Sequence, residues 1–156
     1  MADILQILRN PQLLASGVAE RRHFDSGQAI IVEGSDDRSV YLIEQGVARV
    51  SERVELEDRR HIQPGLCDLA AGEVFGELSL FESGPRSASV VALEPCELLV
   101  FDAEALAGHF ERHPEQGYVV LKELFSVLNR RLRQADRRLG SLFAWGLKAH
   151  GIDRHL

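Results

Sequence analysis

The chain has 156 residues, 45% of them hydrophobic and 27% charged, a size and composition that fit one globular domain with one sizeable core. Its formal net charge of −6 argues against a general nucleic-acid binder, which needs a basic surface. No stretch approaches the roughly 18 apolar residues of a membrane helix, and the N-terminus lacks the pattern of a secretory signal, so a soluble cytoplasmic protein is expected.

Residues 1–17 are expected to be helical. Asp3 can cap a short helix carrying Ile4, Leu5, Ile7 and Leu8, Pro11 interrupts it, and a second turn runs through Leu13 and Leu14. From residue 18 to residue 101 the pattern changes to short strands. Ala29–Val32, Val40–Ile43, Val47–Val50, Val54–Glu57, Ala88–Val91 and Leu98–Phe101 are separated by turn residues such as Gly34-Ser-Asp-Asp and Gln45-Gly46. Short strands about 8–12 residues apart predict a sandwich or a β-jelly-roll barrel, and with the flanking helices the class is α+β, mainly β. Glu52 to Pro64 is dense in charge and is expected to form an exposed hairpin.

Residues 102–156 read as helices and a tail of the same domain. Asp102 caps a segment that runs towards His113, and Pro114 ends it or starts the next. The longest helical pattern starts at Gly117. Its apolar positions Leu121, Phe125, Leu128, Leu132, Ala135, Leu139 and Leu142 step by 4 and 3 in strict alternation, a heptad seam. Such a seam fits a partner helix, and a homodimer through it is expected; the other option is a stripe lying on the chain's own barrel. Gly140 weakens its far end. Residues 1–100 hold 9 Lys/Arg against 17 Asp/Glu and residues 101–156 hold 9 against 7. The positive run Arg130, Arg131, Arg133, Arg137 and Arg138 reads as a solvated helix face. Cys67 and Cys96 are expected to be free thiols. No metal site is expected: His109 and His113 stand i, i+4, but without the acid of a His-Glu-x-x-His motif.

The chemistry concentrates in Phe75-Gly-Glu-Leu-Ser-Leu-Phe-Glu-Ser-Gly-Pro-Arg-Ser-Ala-Ser-Val90. Gly76 before a short apolar run reads as a turn that opens a helical turn, which leaves backbone N–H groups free to face an anion. Arg86, after a Gly-Pro turn, supplies a planar fork of donors for phosphate oxygens. Glu77 suits the hydroxyls of a sugar. With eight residues between them, the two charges fit a phosphosugar pocket or an ordinary surface ion pair, and the residues alone leave both open.

This run resembles the phosphate-binding cassette of the cyclic nucleotide-binding domain family. Upstream, Gly34, Tyr41, Ile43, Gly46 and Val50 stand where that family's glycine–tyrosine–glycine signature has them. The resemblance implies a cAMP or cGMP sensor, not an enzyme and without a cofactor. Phe75, Gly76, Glu77, Leu78, Ser79, Pro85, Arg86, Ser87 and Ala88 would bind the ligand. Glu77 would accept the ribose 2′-hydroxyl, Arg86 would pair with the exocyclic phosphate oxygens, and Ser87 would add a hydroxyl. The base would be covered from the C-terminal helix, with Arg130, Arg131, Gln134, Phe143 and Trp145 as candidates. Only about 17 residues follow Leu139, short of the helix-turn-helix domain of the family's transcription activators. The expectation is therefore no DNA binding, and output through helix movement on an unidentified partner protein. A ligand-free dimeric scaffold of the same fold is the alternative.

Overall fold

A computed structural model describes residues 3–55, 61–62 and 65–151. Two short helices open it, α1 (Ile4–Leu8) and α2 (Pro11–Ala15). The Asp3 carboxylate caps α1 by accepting from the Gln6 amide at 2.8 Å. Asn10 caps α2 in the same way, accepting from the Gln12 amide, with Pro11 in the first turn.

Ten strands follow among the described residues: β1 (Ala19–Phe24), β2 (Ala29–Ile31), β3 (Ser39–Gln45), β4 (Ala48–Ser51), β5 (Val54–Glu55), β6 (His61–Ile62), β7 (Gly65–Leu69), β8 (Val74–Phe75), β9 (Ser89–Ala92) and β10 (Cys96–Asp102). They form two four-stranded antiparallel sheets, in the orders β1-β10-β3-β8 and β2-β9-β4-β7. This is the expected jelly-roll architecture. β5 and β6 pair as a separate hairpin where the charged segment was expected to form one, although positions 56–60 and 63–64 lie outside the described residues. The strand expected over Val54–Glu57 is described only as far as Glu55.

Side chains alternate in direction along a strand, and β3 and β10 are apolar on both faces. Tyr41, Ile43, Leu98 and Val100 point between the two sheets, where they meet Ile30, Ala48, Leu69, Phe75 and Val90. Val40, Leu42, Leu99 and Phe101 point the other way and pack under the helices, against Leu8, Leu13, Leu106, Val120 and Leu124. The central strands thus serve two cores. Gly46 makes the tight turn from β3 to β4 at φ +97°, where an added Cβ would lie 2.6 Å from the Pro95 carbonyl oxygen.

Helix α3 (Ala103–Arg112) is capped by Asp102, which accepts from the Ala105 amide at 2.8 Å. Helix α4 (Pro114–Ala149) starts three residues before the expected Gly117, with Pro114 in its first turn, and runs unbroken through Gly140. Its buried apolar contact with the rest of the chain comes from Val120 and Leu124, which sit in the helix-side core. These positions lie one residue off the seam. Leu121, Phe125, Leu132, Leu139 and Leu142 are all exposed, so apart from Leu128 the seam does not lie on the chain's own barrel. Further along, Arg138 Nη1 donates to the Leu66 carbonyl oxygen on β7. Beyond Ser141, where a tail was expected, α4 continues as far as Ala149. No helix among the described residues is long and apolar enough to cross a membrane.

Candidate functional site

Gly76 sits at φ +73° and opens a single 3₁₀ turn, Glu77–Leu80. A Cβ there would stand 2.7 Å from the Ser39 carbonyl oxygen and 3.1 Å from Arg86 Nη1, so only glycine fits. The amides of Glu77 and Leu78 have no backbone acceptor among the described residues. The turn packs against β3 and α3. Together with Gly84–Ala88 and the apolar side chains Ile31, Val50 and Val90, it lines a cavity of about 350 Å³. All nine ligand-binding residues expected from the sequence line this cavity.

Of the three charged residues of the cassette, Glu82 is exposed at the cavity, while the side chains of Glu77 and Arg86 are buried and paired. Glu77 is 4% exposed. Its Oε1 accepts from Arg131 Nη1 at 3.1 Å, while Arg131 Nη2 donates to the Val74 carbonyl oxygen at 3.0 Å. The arginine of α4 is therefore pinned at two points to the rim of the cavity.

Arg86 has a side chain 8% exposed. Its Nη1 donates to Ser79 Oγ at 2.8 Å and to the Gly76 carbonyl oxygen at 3.3 Å. Its Nη2 donates to Asp37 Oδ2 at 2.8 Å and to the Ser39 carbonyl oxygen. Nε is buried with no hydrogen-bond partner among the described residues. A buried donor left over beside a cavity suits an anionic ligand. The backbone fixes the same residue to the β2–β3 loop, since the Arg86 amide donates to the Ser35 carbonyl and the Gly34 amide donates to the Arg86 carbonyl.

Asp37 also accepts from the Tyr41 hydroxyl at 2.8 Å, and the Tyr41 ring stacks on Phe75 with centroids 5.0 Å apart. Burial opposes ionisation of Asp37. Hydrogen bonds from Arg86, Tyr41 and Ser39 outweigh it and hold the carboxyl below its ordinary range. Burial, followed by the bond to Asp37, pushes the Tyr41 phenol up to about 12.

Of the five residues expected to cover the base, Arg131 alone lines the cavity. Arg130 and Gln134 line a separate groove on another face of α4, with Arg133 and Arg137. Phe143 and Trp145 are exposed and lie 12 and 14 residues beyond Arg131, about 18–21 Å further along the helix. Leu128, read from sequence only as a seam position, also faces the cavity. Asp37 was read only as part of a turn, and nothing in its spacing signals that it meets Arg86. Ser39 contributes through its carbonyl, which no side-chain pattern can reveal. Among the described residues, no three His, Cys, Asp or Glu side chains gather to hold a metal ion.

The sequence pattern of the cyclic nucleotide-binding domain matches residues 21–113. The chain is 36% identical over 129 residues to the cyclic AMP receptor protein of Thermus thermophilus, covering 83% of this chain and 56% of that protein. The crystal structure of the Thermus thermophilus catabolite activator protein superposes with a TM-score of 0.66 at 32% identity, covering 90% of this chain and 63% of that one. A cyclic nucleotide-binding domain from Methylobacillus flagellatus gives a TM-score of 0.68 at 25% identity, covering 80% and 68%. The chain thus spans little more than half the length of the curated receptor. With the barrel, the cassette turn and its buried charges in place, the chain belongs to the cyclic nucleotide-binding domain family.

Proposed function

We propose that this chain is a regulatory sensor that binds cAMP or cGMP in the cassette cavity and passes the signal on through α4. The observation that carries this is the buried pair of functional charges on one cavity. Arg86 has an unpartnered donor to offer a phosphate, and Glu77 is a carboxylate set to accept from sugar hydroxyls. In the bound complex the cyclic phosphate lies by Arg86 and the cassette amides, with Ser87 beside it, and the ribose 2′-hydroxyl donates to Glu77.

Glu77 is also what holds Arg131 of α4. A hydroxyl that donates to Glu77 changes the hold on the helix, so ligand and helix position are linked. The exposed seam of α4 supports a homodimer, because six of its seven apolar positions, all but Leu128, stand exposed at heptad spacing and fit a second copy of the helix. A partner protein would then read the position of α4.

Isothermal titration of cAMP and cGMP against the wild-type chain and Arg86→Ala tests the site. The wild type is expected to bind at least one of them. Arg86→Ala should lose about 2–5 kcal/mol, the usual cost of truncating one member of a buried charge pair. No binding of either nucleotide at millimolar ligand by the folded wild type would reject the proposal.

A further inference from the structure

A guanidinium offers five N–H donors in one plane. In Arg86 the four on Nη1 and Nη2 face four protein acceptors, namely Ser79 Oγ, the Gly76 carbonyl, the Asp37 carboxylate and the Ser39 carbonyl. Among the described residues, only Nε–H is left over. A phosphate engages arginine best through two parallel donors. The side edge of the fan pairs Nε–H with an Nη2–H, and the end edge pairs Nη1–H with Nη2–H. Either two-point approach therefore meets Nη2, where Asp37 and the Ser39 carbonyl already sit.

Asp37 is the one charged acceptor of the four. It stays ionised because Arg86, Tyr41 and Ser39 all donate to it, and Tyr41 is itself fixed by its stack on Phe75. An arriving phosphate thus meets a fixed anion at the same guanidinium. It must displace that anion or share the arginine with it, and like charges at such range repel. The carboxylate belongs to the β2–β3 loop, outside the cassette.

Resting on the cyclic-nucleotide reading of the cavity, we propose that Asp37 is a built-in competitor for Arg86, an internal anion that weakens nucleotide binding and so sets the ligand concentration at which the sensor fills. Its removal tightens binding, the opposite of what removal of a ligand-holding residue does.

The test is titration of cAMP and cGMP into the wild type, Asp37→Asn and Asp37→Ala, with thermal melts to confirm that each is folded. Asp37→Asn keeps the shape and an acceptor for Tyr41 but removes the charge, and it is expected to bind roughly tenfold more tightly. Asp37→Ala should shift in the same direction, and Arg86→Ala added to Asp37→Asn should abolish the gain. If the wild type binds and Asp37→Asn binds equally or more weakly, Asp37 positions the arginine instead, and the inference fails alone. If none of the folded chains binds either nucleotide, the cyclic-nucleotide reading fails and takes this inference with it.

Discussion

At Arg86 and Glu77, side chains that would carry a heavy desolvation cost alone are kept in a small cavity by named counter-charges, Asp37 and Arg131. The cassette half of each pair was legible in the sequence, because a glycine turn, an acid and an arginine at fixed spacing make a local pattern. Of the other halves, Asp37 was not, and Arg131 only as a candidate cover for the base, not as the partner of Glu77. Asp37 lies 49 positions from Arg86 and Arg131 lies 54 from Glu77, so only the folded chain brings them together. Tyr41 gives a prediction at this scale. Its folded-state value of about 12 lies above the ordinary 10.0, so the folded chain keeps a proton that the unfolded chain has released. Stability from this site is full below pH 10 and is lost as pH rises through 12. Denaturant melts across that window should show a steeper fall for the wild type than for Tyr41→Phe, and parallel curves would count against the assignment.

Secondary structure was legible where one face pattern dominated. The unbroken apolar runs of β3 and β10 and the stepping of α4 were all visible as segments. β1 escaped, because Glu20-Arg-Arg-His23 between Ala19 and Phe24 is an exposed edge with no apolar alternation to mark it. For α4 the sequence showed a stripe but not what the stripe would face. The barrel takes Val120 and Leu124, one residue round the helix, and leaves all of the seam but Leu128 in water. Two consequences separate cleanly. Leu132→Asp and Leu139→Asp change side chains that are 60% and 68% exposed, so monomer stability should move by no more than about 0.5 kcal/mol. The dimer proposed through the seam should be lost in the same variants. Light scattering on a sizing column distinguishes the outcomes, and an unchanged mass would remove the seam from the interface.

Across the whole molecule, the two cores share β3 and β10, so the core between the sheets and the platform under the helices are opposite faces of the same strands. A sequence-level core list does not divide in this way until the two-residue alternation is placed in three dimensions. Phe101 is fully buried beneath the helices, and Phe101→Ala should cost about 3–5 kcal/mol in a chemical melt, as for other large core truncations. Because β10 is common to both cores, the loss should appear as one cooperative transition, not as separate melting of helices and barrel. Two transitions would show that the cores are independent.

The length of α4 has a mechanical consequence. Past Arg131 the helix runs 18 more residues to Ala149, steadied by the Arg138 bond to β7. A tilt of about 10° about Arg131 would swing Trp145, about 21 Å away, by roughly 4 Å. Trp145 is the chain's single tryptophan and is 71% exposed. The protein therefore carries an optical needle at the far end of its lever, whose emission colour and quenching report where the arm has come to rest.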